Sequence, residues 1–352
     1  MRLLAVGEGL GGSGYSRVME SLLTELAGSF EVSLFAVNHR GPDVGWVRGN
    51  RVAGDNYGVD QLPLVLEEVD PDVVLFHRDA AFFSMHRAAL AASRARVAIY
   101  TPADRVVPSL AEADLVVFYT RAGLEAAGGG LSSVAVVPHG VDRERFFPVP
   151  DARRQLGLDE DAFIVLNANR NITRKRIGVA MRGFALFARS RPDAWLYLHT
   201  GMRDLGADVP ALAEELAISD RLLVTSSEAG QPHVPDERLN LIYNACDVGV
   251  NTAAAEGFGL VAFEHAATGA AQIVPGVAPQ RELWGGAALL LEAPPSAAAL
   301  ADALARLYDD RTLLSERGLA AFSHATSERF SWSVIARQWE QLLMARAPLS
   351  TS

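Results

Sequence analysis

Cysteine is almost absent from this sequence, long apolar runs are missing, and basic residues are in the minority. One cysteine, Cys246, in 352 residues excludes a scaffold of disulfide bonds. No run of about 18 purely apolar residues occurs, so a transmembrane helix is not expected. The 32 basic residues against 42 acidic ones give a formal net charge of −10, which argues against a general attraction to nucleic acid or to an anionic membrane.

Apolar residues, by contrast, make up 49% of the chain. That fraction excludes a disordered protein, and the length suffices for about two or three domains with cores of their own. The N-terminal stretch Met1–Val6 runs into glycines without the longer apolar segment of a signal peptide. We therefore expect a cytoplasmic protein, with peripheral membrane association left open.

Short apolar runs alternate with helical patterns along the chain. Each run is continuous, as expected for strands of a parallel sheet that is covered on both faces. Two such series, joined near Pro138–Pro150, predict an α/β fold with two doubly wound domains whose strand carboxyl ends face a shared cleft. The predicted strands are Arg2–Val6, Glu31–Val37, Val73–Phe76, Arg96–Tyr100, Leu115–Tyr119 and Ser133–Val137, followed by Phe163–Asn167, Trp195–His199, Arg221–Thr225, Val248–Asn251, Gln272–Val274 and Ala288–Leu291.

A glycine-rich segment, Gly7-Glu8-Gly9-Leu10-Gly11-Gly12, follows the first predicted strand and matches G-x-G-x-x-G. Such a turn lets backbone N–H groups approach a phosphate. A dinucleotide-binding enzyme would carry an acid after the second strand, where this chain has Asn38-His39-Arg40, although Arg40 would suit the additional phosphate of NADP. Phosphate contact and a merely tight turn both stay open.

A basic segment, Asn169–Arg176, follows the first strand of the second series. It holds four cations within seven residues, at a position where the strand should end in the cleft. Guanidinium and ammonium groups there suit a diphosphate whose charge grows as it leaves. A solvated basic loop is the alternative interpretation.

The segment Glu256–Glu264 is the most specific feature of the sequence. Its two glutamates are eight positions apart, across a glycine-rich loop and the first turns of a predicted helix. Gly257 and Gly259 would let backbone amides approach a ligand closely, and a helix N-terminus at Leu260 would add a positive field. A carboxylate on that helix can accept hydrogen bonds from two vicinal ribose hydroxyls. Each glutamate alone could equally be a solvated helix residue.

Three isolated candidates are harder to separate from ordinary structural residues. Asp159-Glu160-Asp161 has a D-x-D pattern, but it lies between predicted elements, as a solvated loop or a helix cap would. His77 follows the strand Val73–Phe76, and Asp104 follows a later strand of the first series. For both residues a structural and a functional role stay open.

In these segments, and over nearly its whole length, the chain resembles the retaining GT-B-fold glycosyltransferases of family 4 (glycosyltransferase group 1). Glu256 and Glu264 match the family's E-x7-E element, and Arg170 and Lys175 occupy the positions of its phosphate-binding Arg and Lys. Further similar segments are Val137–Asp142 with Phe146–Pro148 at the linker, Leu241–Val248, and Glu328–Trp332.

The resemblance implies a GT-B fold with an acceptor domain at 1–145, a donor domain at 146–330 and a C-terminal helix at about 331–346 that crosses back to the first domain. Many members carry a histidine near the transferring sugar, after the fourth or fifth strand. Here Tyr100-Thr101-Pro102-Ala103-Asp104 fills the later place, so Asp104 or His77 would take that role.

The resemblance also implies a retaining, metal-independent hexosyltransferase that uses a nucleotide-diphosphate sugar and no further cofactor. Its acceptor would be a glycan, a lipid-linked molecule or a small molecule, and nucleic acid is not expected as a partner. Glu256 would orient the sugar hydroxyls, and Asp104 would position the sugar or the acceptor. The donor would be bound by Arg170 and Lys175 at the diphosphate, Glu264 at the ribose, Gly11 and Gly12 from the other domain, and the loop of Gly257, Phe258, Gly259 and Leu260.

Two other classes remain open. An NADP-dependent oxidoreductase would rest on Gly7–Gly12 and Arg40, but it leaves the segment Glu256–Glu264 without a role. A sugar-nucleotide-binding protein without catalytic activity would carry the same binding residues. The donor's base and sugar and the oligomeric state do not follow from the sequence.

Overall fold

The computed structural model describes residues 1–9, 13–102 and 106–345. The chain divides into two compact units. Unit 1 comprises Met1–Gly140 together with the C-terminal segment from Glu328, and unit 2 comprises Val141–Ser327. Among the described residues, no helix is both long enough and apolar enough to span a lipid bilayer.

Unit 1 is built on a seven-stranded sheet with the order β3-β2-β1-β4-β5-β6-β7, in which all strands run parallel. Its strands are β1 (Arg2–Gly7), β2 (Glu31–Ala36), β3 (Val47–Gly49), β4 (Val73–His77), β5 (Arg96–Thr101), β6 (Leu115–Phe118) and β7 (Val134–Val136). Its helices are α1 (Gly14–Leu26), α2 (Leu62–Val69), α3 (Ala80–Ala92), α4 (Arg121–Ala127) and, from the C-terminal segment, α13 (Trp332–Met344), with a 3₁₀ turn at Pro108–Glu112.

Burial of apolar faces holds the helices of unit 1 on this sheet. Helix α1 begins where the Ser13 side chain accepts a hydrogen bond from the Ser16 N–H, and its apolar stripe, including Val18 and Leu22, is buried. Helix α13 buries Trp339, and the Arg96 guanidinium donates to the carbonyls of its last turn, including that of Leu342. The chain therefore returns to unit 1 after completing unit 2.

Unit 2 is built on a six-stranded parallel sheet with the order β10-β9-β8-β11-β12-β13. Its strands are β8 (Phe163–Asn167), β9 (Ala194–Leu198), β10 (Leu222–Val224), β11 (Val248–Val250), β12 (Ala271–Pro275) and β13 (Leu289–Leu291). Its helices are α5 (Ala152–Leu156), α6 (Ile177–Ala188), α7 (Val209–Glu215), α8 (Asp236–Ala245), α9 (Leu260–Ala266), α10 (Ala278–Trp284), α11 (Ala297–Asp309) and α12 (Arg311–Ala325), with 3₁₀ turns at Thr173–Lys175 and Ser219–Arg221.

Helices α6 and α11 pack against each other in the core of unit 2, and their backbones approach closely. A Cβ atom at Gly183 would stand 2.7 Å from Leu300 Cδ2 and 3.0 Å from the Ala297 carbonyl oxygen, so this position needs a glycine. Phe163, Phe184 and Leu300 are buried in the same cluster. The fully buried strand residues explain why the apolar runs of the sequence are continuous.

The predicted fold class is confirmed. All twelve predicted strands are present, with ends that differ by at most one or two residues. The prediction missed β3, the strand at the edge of the first sheet. It is three residues long and contains Arg48, so it has neither the length nor the apolar run by which a buried strand is identified.

Candidate functional site

The carboxyl ends of β8 and β11 form the topological switch point of unit 2, since the chain goes to β9 on one side and to β12 on the other. Val165 pairs with Val248 at this point. Open α/β sheets bind ligands in the crevice at such a point. The two loops that leave these strands are joined by a hydrogen bond of 2.8 Å from the Ala254 N–H to the Arg174 carbonyl. The predicted basic and glutamate segments therefore meet.

Lys175 and Glu256 form a buried ion pair at this switch point. Their side chains are 12% and 7% exposed, and the Lys175 Nζ donates to Glu256 Oε2. Nζ also donates to Asn169 Oδ1 at 3.0 Å, and Asn251 Nδ2 donates to the same Glu256 oxygen at 3.0 Å. Arg174 lies farther out, with Nη1 3.8 Å from Glu256 Oε1. Two neighbouring asparagines thus hold the pair in one geometry.

Burial lowers the pKa of Lys175, although the Glu256 charge opposes that effect. Burial raises the pKa of Glu256, but Lys175, Arg174 and the Asn251 hydrogen bond outweigh it, so that the pKa of this carboxyl lies below its ordinary value. The Glu256 carboxylate is therefore charged at neutral pH and depends on Lys175 for its counter-charge.

Arg170 lies in the same loop but in a different environment. Its side chain is 58% exposed, and Nε donates to Asp204 Oδ2 at 2.7 Å. This hydrogen bond and the Arg170 charge keep the pKa of Asp204 below its ordinary value. The guanidinium is thus held at the carboxyl edge of the sheet while it remains open to solvent.

The loop from Gly257 to Leu260 leads from Glu256 into α9. Gly259 has φ = +83°, a left-handed conformation that favours glycine. Neither the Gly257 nor the Gly259 N–H has an acceptor within the described ranges. Phe258 is buried, and its carbonyl accepts a hydrogen bond of 2.9 Å from Gln280 Nε2. The loop is therefore anchored by Phe258 and presents backbone donors beside the ion pair.

Glu264 lies on α9, where only 4% of the residue is exposed. Its Oε2 accepts a hydrogen bond of 3.1 Å from the Tyr243 hydroxyl. The two glutamates of the E-x7-E element therefore stand on one continuous segment, but each has a different partner.

The site residues predicted in unit 1 are Gly11, Gly12, Asp104 and His77, and the structure describes only the last of them. Gly11, Gly12 and Asp104 lie outside the described residues. His77 ends β4 and is fully buried, with Nδ1 2.9 Å from the Tyr100 carbonyl oxygen. Burial lowers its pKa to about 4. His77 is therefore a neutral, fully buried residue in this conformation, and its Nε2 has no hydrogen-bond partner among the described residues.

The structure gives Arg40 a role in loop packing. Its Nη1 donates to the Val52 carbonyl at 3.0 Å, and its Nη2 donates to the Asp55 carbonyl at 2.6 Å. The Asn38 side chain accepts a hydrogen bond from the Gly9 N–H at 2.8 Å. Of the residues on which an NADP site would rest, Arg40 and Gly9 are therefore engaged within the unit.

Sequence reasoning missed the partners that orient the site. Asn251, Asp204 and Tyr243 were not singled out as site residues, although Asn251 closes a predicted strand. Polar residues at the ends of buried strands are a usable signal, which points to Asn251 and to Asn169. Asp204 lies 34 positions from Arg170 and gives no such signal.

The family model for "Glycosyl transferases group 1" matches residues 149–322, which lie within unit 2. A D-inositol 3-phosphate glycosyltransferase of Nocardia farcinica is 33% identical over 244 residues, which are 67% of this chain and 51% of that protein. A mannosylfructose-phosphate synthase of Agrobacterium fabrum is 32% identical over 145 residues, 40% of this chain and 32% of that protein. The chain thus spans about half or less of the length of these relatives.

Known structures agree in fold over nearly the whole chain. Sucrose-phosphate synthase from Thermosynechococcus elongatus superposes with a TM-score of 0.79 at 21% identity, covering 97% of this chain and 98% of the other. Anabaena Alr3699/HepE, in complex with UDP and glucose, superposes with a TM-score of 0.77 at 19% identity, covering 97% and 99%. The resemblance stated from the sequence is therefore confirmed: this is a GT-B-fold protein, and its second unit belongs to the glycosyl transferases group 1 family.

Proposed function

We propose that the protein transfers a sugar from a nucleotide-diphosphate sugar to a hydroxyl group of an acceptor, with retention of configuration. The observation that carries this proposal is the buried Lys175–Glu256 pair at the switch point of unit 2, beside a loop whose Gly257 and Gly259 N–H groups have no acceptor among the described residues. The family match of unit 2 supports the same chemistry.

Lys175 and Arg170 are proposed to bind the diphosphate. The Lys175 ammonium has three N–H donors, of which two are directed to Asn169 and Glu256, so one remains for a phosphate oxygen. Arg170 adds a second cation at the same edge of the sheet, held there by Asp204. These charges would stabilise the leaving diphosphate as its negative charge develops.

Glu256 and Glu264 are proposed to orient the rest of the donor. The Glu256 carboxylate, kept charged by Lys175, can accept hydrogen bonds from sugar hydroxyls. Glu264 would accept them from the ribose, and the N–H groups of Gly257 and Gly259 would donate to the diphosphate. Asp104 keeps its proposed role beside the sugar or the acceptor.

In the transfer step the acceptor oxygen bonds to the anomeric carbon as the bond from that carbon to the phosphate oxygen breaks. For front-face attack the leaving phosphate oxygen takes the acceptor proton, so the protein needs no strong base. We propose that the two cations replace a divalent metal in this step. The expected setting is the cytoplasm, with a glycan, lipid-linked or small-molecule acceptor.

Calorimetry with a panel of UDP, GDP, ADP and dTDP sugars tests the donor site. One of the four nucleotide series should bind. Lys175→Ala should weaken the binding of that series, or slow turnover with it, by about 10²–10³-fold. Arg153→Ala is the matched control, because it removes a half-buried ion pair with Asp247 just before β11, at the other edge of the same sheet.

Three results would contradict the proposal. Full donor binding and turnover in a folded Lys175→Ala protein would remove the diphosphate role of Lys175. Binding of NADPH in place of every sugar nucleotide would favour the oxidoreductase alternative. Turnover that is abolished by EDTA and restored by Mg²⁺ would overturn the metal-free mechanism.

A further inference from the structure

Unit 1 has a switch point of its own, between β1 and β4. The chain goes from β1 to β2 on one side of the sheet and from β4 to β5 on the other, and Gly7 at the end of β1 pairs with His77 at the end of β4. Arg78 is the next residue, and one residue, Asp79, separates it from α3. A guanidinium therefore stands where a doubly wound sheet binds ligands.

Arg78 is 8% exposed, and its Nη1 is shielded from solvent and has no hydrogen-bond partner in the part of the chain that the structure describes. Within the described ranges its guanidinium donates no hydrogen bond and forms no ion pair. Buried guanidinium groups are normally paired, because an unpaired buried charge is costly. The structure thus maintains a cation whose hydrogen-bonding capacity is unused.

Three other arginines of unit 1 have polar partners, of which Arg48 and Arg96 are half-buried and Arg40 is exposed. Arg40 donates to backbone carbonyls of its loop, and Arg96 donates to the end of α13. Arg48 Nε is also buried without a hydrogen bond, but the Arg48 guanidinium lies 3.7–3.8 Å from the carboxylates of Asp43 and Glu68. An unpaired guanidinium is therefore not a general property of this unit.

Two aromatic rings near the surface lie beside Arg78. Its guanidinium carbon is 4.4 Å from the centroid of the Phe82 ring, which stacks on Tyr57 at 5.4 Å. Both rings are partly or largely exposed. Burial lowers the pKa of Arg78, and the nearby carboxylates of Glu8 and Asp79 oppose this without reversing it.

We infer that Arg78 binds an oxyanionic group of the acceptor, a phosphate or a carboxylate, at the carboxyl edge of unit 1. This inference rests on the proposed transferase function for the identity of the ligand as an acceptor. The planar guanidinium can donate two parallel hydrogen bonds to either group. Phe82 holds the plane of the guanidinium from one side, and binding would supply the counter-charge that the described residues lack.

Two nearby carboxylates are already engaged. Glu8 Oε2 accepts a hydrogen bond of 2.6 Å from the Ser13 hydroxyl, and Asp79 Oδ1 accepts one of 2.9 Å from the Ala81 N–H at the start of α3. These bonds direct oxygen atoms of both acids toward backbone or hydroxyl donors. An external oxyanion therefore remains the natural partner for Arg78.

The test uses inorganic phosphate and acetate as probes on the full-length protein, with NaCl at equal ionic strength as the reference. Hydrogen exchange of the unmodified protein should slow in peptides that cover 77–82 when phosphate is added. Calorimetry should then show at least about tenfold weaker binding at this site in Arg78→Gln and weakened binding in Arg78→Lys, which keeps the charge but loses the fork. Arg87→Gln, an exposed arginine on α3, is the matched control.

The result decides both the site and its ligand. Protection at 77–82 by phosphate alone identifies a phosphate site, and protection by acetate as well extends it to carboxylates. Protection confined to 169–176, or none with either probe, overturns the inference. Unchanged phosphate binding at 77–82 in a folded Arg78→Gln protein overturns it as well.

The same experiments separate this inference from the proposed function. Sugar-nucleotide binding depends on Lys175 and should be unchanged in Arg78→Gln. If no sugar nucleotide binds while 77–82 is protected by phosphate, the proposed function fails and the oxyanion site stands. If sugar nucleotides bind without that protection, the reverse holds.

Discussion

Each sheet has a buried cation at its topological switch point, after β8 in unit 2 and after β4 in unit 1, and the two cations differ in how they are paired. In unit 2, Lys175 is paired with Glu256 and held by Asn169. In unit 1, Arg78 is buried to a similar degree and has no ion-pair partner within the described ranges. A paired buried cation has part of its charge compensated within the protein, whereas an unpaired one needs a ligand to compensate it. The comparison therefore separates a site that is preorganised from one that its ligand completes.

The largest expected difference is in stability. Lys175→Ala should lower the free energy of unfolding of unit 2 by about 3–5 kcal/mol, because it leaves the buried Glu256 carboxylate without its main counter-charge. Arg78→Gln should not destabilise unit 1, since it removes an unpaired buried charge. Hydrogen exchange of β8 and of β4 measures the two units separately. Equal losses in both variants would remove the distinction between the sites.

The next effect is a pH dependence that the two units share. Burial lowers the pKa of His77 in unit 1 and of His265 in unit 2 to about 4, from an ordinary value of 6.5. The unfolded chain then binds the extra protons between pH 6.5 and 4, so stability is fully present above pH 6.5 and falls as the pH drops through this range. Each histidine should contribute about 3 kcal/mol over the whole range.

Urea unfolding at a series of pH values between 4 and 7 checks this dependence. His77→Asn can keep a side-chain donor near the Tyr100 carbonyl and should flatten the pH dependence, as should a variant at His265. His233→Asn, on an exposed side chain, controls for the loss of a histidine as such. An unchanged slope in the His77 variant would show that this residue becomes protonated in the folded state.

Two glycines with positive φ, Gly259 in unit 2 and Gly54 in unit 1, extend the comparison between the two units. Gly259→Ala should cost unit 2 about 1–2 kcal/mol, because φ = +83° is unfavourable for any residue with a Cβ atom. Gly54 in unit 1 has φ = +80° and no atom within 4 Å of an added Cβ, so Gly54→Ala measures the backbone strain alone. A larger loss at Gly259 would report crowding against Gln280, 3.3 Å from that Cβ. A loss at Gly259 well below that at Gly54 would contradict the prediction.

The smallest expected change in stability is that of Arg170→Ala. Its ion pair with Asp204 is largely exposed on the arginine side, so its removal should cost no more than about 1 kcal/mol. Donor binding should fall nonetheless, because the cation is proposed to bind the diphosphate. Arg182→Ala removes a comparable exposed pair with Glu215 on unit 2 and should leave donor binding unchanged. Similar donor affinities in the two variants would place Arg170 outside the donor site.

The sequence was a good guide to the parts of the fold that depend on local pattern. Fully buried parallel strands need continuous apolar runs, and the twelve runs identified in the sequence are strands of the two sheets. The short edge strand β3 carries no such run and was missed. The sequence also placed the basic segment at the carboxyl end of a strand, and the family resemblance grouped Arg170, Lys175, Glu256 and Glu264 as residues of one donor site.

Only the tertiary structure decided how each of these groups is paired. Lys175 and Glu256 are 81 positions apart, and their ion pair forms because β8 and β11 are neighbours in the sheet. The burial of His77 and the unpaired state of Arg78 likewise depend on what packs around the end of β4. Hydrophobic patterning is local along the chain and can be identified there, whereas counter-charges and solvent exposure come from residues that folding alone brings together.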